Sequence, residues 1–199
     1  LKDHFTFDHC CRVGRAARRL GRDMGLDDHE QNILEFAGLL HDVGKAGVPD
    51  DILLKQGRLT DEEMTVMKSH AEMSCEIIAP LTHIPFFRFL LPGIRYHHER
   101  WDGAGYPNKL EGEKIPMIAR IIAIVDTVDA MTNSRPYRKA LPMDVAKQEL
   151  VDCSNEQFDS HIVKIYLDAV KHWKSIDVAE SEEKVVSRLI LPGSVRKAG

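Results

Sequence analysis

The sequence predicts an all-α fold in which helices pack as a bundle. Apolar residues recur every three or four positions through most of the chain, and no segment alternates as a strand would. Glycine and proline divide these periodic stretches into lengths typical of single helices. With 199 residues, 43% of them hydrophobic and 29% charged, the chain has the size and composition of one globular domain with a sizeable core.

The predicted helices follow one another through short connections. Gly25 ends the first helix, and Thr60 with Glu63 forms a capping box that begins the third. Two segments rich in glycine and proline, 47–58 and 101–116, are expected to be loops. In chain order, we expect helices at about 9–24, 28–42, 61–78, 85–100 (as one or two helices), 117–133, 144–152 and 160–174.

Charge and cysteine content exclude some classes of function. The formal net charge is -4 and the pI is near 6.2, so DNA or RNA is not an expected partner, although a bound metal could attract a small anionic ligand. No apolar run is long enough to span a membrane, and no signal peptide is evident. The cysteines form no CxxC pair, which indicates reduced thiols and predicts a cytoplasmic protein. They are Cys10, Cys11, Cys75 and Cys153.

Both ends of the chain are expected to lie outside the main domain, which we place at 9–177. Residues 1–8 are expected to be a linker or the end of an upstream segment, because the chain begins with Leu1 and not with methionine. Residues 178–199 are first charged and then apolar at 185–192. This tail is either a docking segment or the start of a linker.

Histidine and aspartate residues occur where a metal site would need them. His41-Asp42 and His97-His98 are adjacent pairs, and neighbouring helix residues point about 100° apart, so a pair can bracket a metal cluster. Asp126 lies in an otherwise apolar helix, where a charge is costly unless it is paired or binds a metal. The candidate metal ligands are His9, His41, Asp42, His70, His97, His98 and Asp126.

The chemistry of this ligand set favours a centre of more than one ion. Mixed imidazole and carboxylate ligands suit iron, manganese or zinc, and do not fit a thiolate-rich structural zinc site. If Asp42 bridges two ions, a hydroxide between them would be an in-line nucleophile for phosphorus. The remaining histidines are expected to be surface or satisfied core residues. They are His4, His29, His83, His161 and His172.

An ordered set of motifs resembles the HD-GYP subfamily of the HD phosphohydrolase superfamily. The stretch LHDVGK at 40–45 resembles the HD motif, and HHERWDGAGYP at 97–107 is similar to the HHE and GYP signature. DTVDAMT at 126–132 and RPYR at 135–138 continue the resemblance, and HCCRV at 9–13 resembles the family's H-x-x-R-V start. The HD dipeptide alone is weak, whereas the ordered set is very specific and spans nearly the whole chain.

The resemblance implies a helical HD-GYP catalytic domain that hydrolyses cyclic di-GMP to pGpG, GMP or both. It implies two or three metal ions, commonly iron or manganese with zinc, nickel or magnesium as further options, held by the seven residues above. Lys45 would stabilise the charge of the scissile phosphate, and Asp42 and Asp129 would complete the catalytic group. Asp129 would orient a ligand or a water. Arg135 and Arg138 would clamp phosphate.

Some positions depart from the family or keep two interpretations. Members with three metals carry a glutamate one helical turn before the first histidine, and here that position is Phe5, so we expect two ions. Tyr106 could stack on a base of the substrate, or could equally pack on the core. The GYP loop is expected to be a surface for substrate or for a diguanylate cyclase partner.

Other functions stay open at this point. Cyclic GMP-AMP is an alternative substrate, because no residue that reads the base can be identified. A weakly active or inactive sensor or docking module is a second alternative, and a general nucleotide phosphohydrolase is a third, which the GYP segment disfavours. An upstream regulatory domain is expected, and a homodimer is left open.

Overall fold

Helices begin where the capping residues of the sequence require them. The computed structural model describes residues 4–134 and 139–173. Both halves of the predicted capping box are present: the Thr60 hydroxyl accepts from Glu63 N at 3.3 Å, and the Glu63 carboxylate accepts from Thr60 N at 2.8 Å.

The described part of the chain contains nine α-helices. The helices are α1 (His4–Asp23), α2 (Asp28–Leu40), α3 (Asp50–Leu53), α4 (Asp61–Lys68), α5 (His70–Ile78), α6 (Pro85–Tyr96), α7 (Met117–Thr132), α8 (Met143–Asp152) and α9 (Ser160–Ala169).

The predicted all-α class is confirmed. Apart from an isolated bridge between Ser154 and Phe158, the described ranges contain no β-structure. Short 3-10 segments connect the helices, at Val43–Gly47, Ala79–Leu81, Gly112–Lys114 and Val170–His172. Within 4–134 and 139–173, no helix is both long and apolar enough to cross a membrane.

Helix α7 is the centre of the bundle. It packs against α1, α2, α6, α8 and α9, and it is apolar around most of its circumference, as a fully enclosed helix must be. Ile121, Ile122 and Ile124 have no exposed surface. Burial of each such side chain stabilises the fold by about 1.5–3 kcal/mol. Asp126 therefore projects from the best-packed element of the protein.

Helices α1 and α2 approach closely enough to bring their histidines together. They cross at Gly14 and Gly38, where a Cβ on Gly38 would lie 2.8 Å from the Cα of Gly14. Non-bonded carbons do not come that close, so larger residues would push the helices apart. The ring centroids of His9 and His41 are consequently only 5.4 Å apart.

The structure differs from the sequence prediction between residues 47 and 78. The expected loop at 47–58 contains the single helical turn α3, which follows Pro49. The expected helix at 61–78 is two helices, which meet at Ser69. The Ser69 hydroxyl donates to Val66 O at 2.6 Å, and this local hydrogen bond competes with the regular helical pattern. The break sets the position of His70 at the first residue of α5.

The segment Val43–Gly47 packs directly on α5. Gly44 N donates to the Ser74 hydroxyl at 2.8 Å, and that hydroxyl donates to His41 O at 3.0 Å. A Cβ on Gly44 would lie 2.1 Å from His70 O and 2.5 Å from Ser74 N. Only glycine permits this approach, which fixes the distance between Asp42 and His70.

We expect Gly44→Ala to lower the free energy of unfolding of the metal-free protein by roughly 1–3 kcal/mol, because backbone must move to admit the methyl group. Gly47→Ala is the matched control, since its Cβ would meet only the flexible Met73 Sδ, at 2.9 Å. We expect that control to stay within about 0.5 kcal/mol of the parent. Urea denaturation measures both variants, and equal losses would contradict the packing argument.

Candidate metal centre

Five parts of the bundle bring the seven predicted ligands together. α1 supplies His9, the end of α2 supplies His41 and Asp42, and the start of α5 supplies His70. The turn after α6 supplies His97 and His98, and α7 supplies Asp126. Four of them, His41, Asp42, His70 and His97, have at most 2% of their surface exposed. Polar groups buried this deeply require partners of their own.

The donor atoms form two groups that meet at Asp42. In the first group, donor atoms of Asp42, His70, His97 and His98 lie within 4.8 Å of one another, and in the second, those of His9, His41 and Asp126 do. Asp42 Oδ1 is 3.3 Å from His70 Nε2, whereas Asp42 Oδ2 is 3.3 Å from His41 Nε2 and 3.9 Å from His9 Nε2. The two carboxylate oxygens thus face different groups, as a bridging ligand requires.

Backbone carbonyls orient three of the imidazole rings. The Nδ1 atoms of His41, His70 and His97 lie 2.7, 2.8 and 2.7 Å from Gly38 O, Met67 O and Ile94 O. A carbonyl can only accept, so each Nδ1 carries a proton, and in the neutral form of each ring Nε2 keeps a lone pair. These lone pairs point into the site, which is the ring orientation found in metal-bound histidines.

His9 is oriented by a carboxylate instead. Its Nδ1 is 2.7 Å from Asp129 Oδ2, and its Nε2 is 3.1 Å from Asp126 Oδ1. Asp129 also accepts two hydrogen bonds from Arg12, at 2.6 and 2.9 Å, and one from Asn133 at 2.9 Å. Asp129 therefore lies behind His9 and holds its ring. No role for Arg12 was evident from the sequence, although its spacing of three residues from His9 places both on one face of α1.

Burial and charge set the protonation of the donors. Burial lowers the pKa of His70, lowers that of His97 well below its ordinary value, and lowers that of His98 to about 4. These rings are neutral at pH 7 and can donate a lone pair. Burial alone would raise the pKa of Asp42, but His41 and Lys45 outweigh it and hold that pKa well below its usual range.

Unpartnered atoms show that the site fits a cation. His41 Nε2 and Asp42 Oδ1 are buried and have no hydrogen-bond partner. The Nε2 atoms of His70 and His97 face each other at 3.4 Å, and both Nδ1 protons are already donated elsewhere. Two facing lone pairs repel unless something electropositive lies beside them. The donor set, with five imidazoles and two carboxylates, is one that iron, manganese and zinc accept.

An open pocket of about 280 Å³ lies beside the donors. His97, His98 and Asp126 line it together with Lys68 and with Arg100, whose guanidinium is paired with Asp102 at 2.6 Å. The pocket gives a small ligand access to both donor groups. The approach of Lys68 and Arg100 to the donors was not identified from the sequence, because both are ordinary surface residues until the fold brings them together.

The GYP loop forms one wall of this pocket. The Tyr106 ring stacks on the His98 ring with centroids 4.7 Å apart and 24° between planes. Lys68 Nζ lies 5.1 Å from the centre of the Tyr106 ring. The buried Glu99 carboxylate accepts from Asn108 N at 2.7 Å and from Leu110 N at 3.0 Å, which anchors the loop to the end of α6. Tyr106 packs against a predicted ligand.

Lys45 lies at the edge of the centre. Its ammonium Nζ is 2.5 Å from Asp42 Oδ2, and its side chain is about one quarter exposed. The predicted phosphate clamps Arg135 and Arg138, the side chain of Phe5 and the tail at 178–199 lie outside the described part of the chain.

Comparisons with known proteins identify the family. Residues 1–162 match the family model described as "HD domain". The chain is 35% identical over 182 residues to a cyclic di-GMP phosphodiesterase of Thermotoga maritima, covering 92% of the chain and 49% of the relative. It is 35% identical over 168 residues to the 3'3'-cGAMP-specific phosphodiesterase 2 of Vibrio cholerae, covering 84% of the chain and 31% of the relative.

A solved structure supports the same assignment of fold. An HD-G"Y"P protein from Bdellovibrio bacteriovorus superposes with a TM-score of 0.66 at 19% identity, over 83% of this chain and 52% of that one. The chain spans half or less of the length of the curated relatives it matches. The chain belongs to the HD domain family, and the resemblance to HD-GYP phosphodiesterases inferred from its motifs is confirmed.

We expect Asp129→Ala to weaken metal binding by about 10–100-fold while all seven donors remain, because the His9 ring loses the partner that orients it. A chelator competition titration measures the affinity. Asp159→Ala is the matched control, since Asp159 is also buried and paired with an arginine, Arg120 at 2.7 Å. We expect that control to lose stability and to keep its metal affinity. Equal affinities for Asp129→Ala and the parent would contradict the orienting role.

Proposed function

We propose that this chain, a member of the HD domain family, is the catalytic domain of a metal-dependent phosphodiesterase that hydrolyses a cyclic dinucleotide. The observation that carries the proposal is the pair of donor groups that meet at Asp42 beside an open pocket lined by two of the donor histidines and Asp126. Cyclic di-GMP is the substrate we place first, with pGpG, GMP or both as products. The curated relatives include phosphodiesterases for cyclic di-GMP and for 3'3'-cGAMP.

Two divalent ions would be held by the two donor groups. Asp42, His70, His97 and His98 would bind one ion, and Asp42 with the second group would bind the other. Iron or manganese fits this set best, and zinc, nickel or magnesium are the alternatives. Divalent ions at such a centre supply Lewis acidity, which lowers the pKa of water and withdraws charge from a phosphodiester.

Lys45 would act on the phosphate. It lies at the open edge of the centre, with its Nζ 2.5 Å from the Asp42 oxygen that faces the second donor group. Asp42 raises the pKa of Lys45 against the opposing effect of burial, so the ammonium keeps its charge. A fixed positive charge at this point stabilises the negative charge that develops on phosphate oxygens during hydrolysis.

The pocket walls would bind the rest of the substrate. Lys68 lines the pocket and would bind the second phosphate of the cyclic dinucleotide, whereas Arg100, which also lines it, is paired with Asp102. Arg135 and Arg138 remain proposed phosphate clamps.

Tyr106 is already stacked on His98, so we propose that it holds the His98 ring and does not stack on a substrate base. The outer side of the GYP loop, an upstream regulatory domain and a homodimer remain proposals about partners.

The sensor alternative is less favoured than the enzyme. A domain that only binds its ligand does not need seven imidazole and carboxylate donors around one buried site. Here the seven predicted donors all converge, and Lys45 is placed beside them. We therefore propose activity and make the sensor an outcome of the test.

The decisive experiment is hydrolysis of cyclic di-GMP by anaerobically purified protein, with metal content determined on the same sample. We expect Asp42→Ala to abolish both turnover and metal binding, because the residue contacts both donor groups. Asp144→Ala, an exposed carboxylate on α8, is the control and should match the parent. Full activity in Asp42→Ala would exclude the two-ion proposal. Bound metal without turnover of cyclic di-GMP, cyclic GMP-AMP or pGpG would support the sensor.

We expect Lys45→Met to lower kcat by about 100-fold with little change in metal content, because it removes one charged group at the reacting phosphate. Lys55→Met is the control, since Lys55 pairs with Glu63 on the surface and lies on a different segment. Steady-state kinetics and metal analysis on the same preparations measure both effects. If Lys45→Met lost metal in proportion to activity, Lys45 would be a structural partner of Asp42 instead.

A further inference from the structure

The thiol of Cys10 lies against the metal centre without an assigned role. Cys10 follows His9 on α1 and has 4% of its surface exposed. Its Sγ, a donor atom of His41 and a donor atom of Asp42 all lie within 4.8 Å of one another. A buried cysteine is most often a small apolar residue, so burial alone does not make it a ligand.

The neighbours of this thiol distinguish it from an ordinary core cysteine. His41 Nε2 and Asp42 Oδ1 are both buried without a hydrogen-bond partner, and these residues are 1% and 2% exposed. Cys10 therefore completes a third donor group, in which His41 and Asp42 each have one unpartnered polar atom. Core cysteines that only fill space pack among carbon atoms, whereas this one lies beside an imidazole and a carboxylate.

Helix geometry explains how α1 can contribute twice. Successive residues of a helix point about 100° apart. His9 is directed at Asp126 and Asp42, whereas Cys10 is placed with His41 and Asp42. The two side chains diverge and reach the second donor group from different sides. Sulfur and nitrogen ligands of one tetrahedral ion lie about 3.5 Å apart, so modest side-chain movement closes a 4.8 Å group around an ion.

We propose that Cys10 is an additional ligand, a thiolate donor to the cation that His41 and Asp42 hold. The inference rests on the metal centre of the proposed function. On binding, the Cys10 S–H bond breaks, its proton passes to solvent, and the sulfur electron pair forms the bond to the metal. A soft thiolate donor shifts the preference of this position toward zinc and iron and away from magnesium and manganese.

Cobalt(II) tests the proposal without any activity measurement. A thiolate bound to cobalt gives an intense near-ultraviolet charge-transfer absorption that nitrogen and oxygen ligands do not give. We expect the band in the parent and its loss in Cys10→Ser. It should persist in the triple variant Cys11→Ser, Cys75→Ser, Cys153→Ser, which keeps Cys10 as its only cysteine. A band that survives Cys10→Ser, or one that disappears in the triple variant, would overturn the assignment.

Zinc provides a second test, which begins with the parent protein. X-ray absorption of the zinc-bound parent should show a sulfur neighbour at about 2.3 Å. In Cys10→Ser we expect zinc affinity to fall at least about tenfold and manganese affinity to change little. Metal bound only through nitrogen and oxygen would overturn the thiolate and leave the phosphodiesterase proposal intact. Failure to bind any divalent metal would overturn both.

Discussion

The Asp42 carboxylate is the group on which the rest of the site depends. It is 2% exposed, and an isolated charge so deeply buried would cost more free energy than a small domain can supply. Positive or polarisable neighbours on both sides of the carboxylate offset this cost. His70 lies beside Oδ1. The neighbours of Oδ2 are His41, His9 and Lys45. The remaining helices bring these partners to one carboxylate, and a cation in each donor group would complete the compensation.

One local arrangement orients three of the predicted ligands. His41, His70 and His97 each follow directly, or after one residue, the last residue of a helix, and each Nδ1 donates to the carbonyl three residues earlier. Carbonyls in the last turn of a helix lack an intrahelical partner, so they are free to accept this bond. The break at Ser69 is part of this arrangement. In an uninterrupted helix, Met67 O would accept from a backbone N–H, and the His70 ring would lose the partner that fixes its orientation.

The sequence predicted the class of fold, whereas the surroundings of the predicted donors became evident only in the structure. Helical periodicity and the Thr60 capping box are local signals, and both are present in the structure. The ordered motifs named His9 and Asp126, which are far apart in the chain but lie 3.1 Å apart in space. The division of α4 from α5 could not be predicted, because the intervening residues also suit a continuous helix and the Ser69 hydrogen bond at the break is evident only in the structure. The roles of Arg12, Lys68 and Cys10 also depend on which helix faces each of them, and periodicity does not contain that information.

The GYP loop is part of the site instead of a free connection. Two of its backbone amides are fixed by the buried Glu99, which follows His98 directly, and its tyrosine covers the His98 ring. A change in the loop must therefore move a predicted ligand or leave a buried carboxylate unpaired, and the second costs about 1–3 kcal/mol or more. For this reason the HHE segment, 97–99, and the GYP segment, 105–107, form one structural unit. Glu99 connects the predicted ligands His97 and His98 to the loop that lines the pocket. This linkage explains why the two motifs occur together within eleven residues, 97–107, in a chain whose other donors are widely separated.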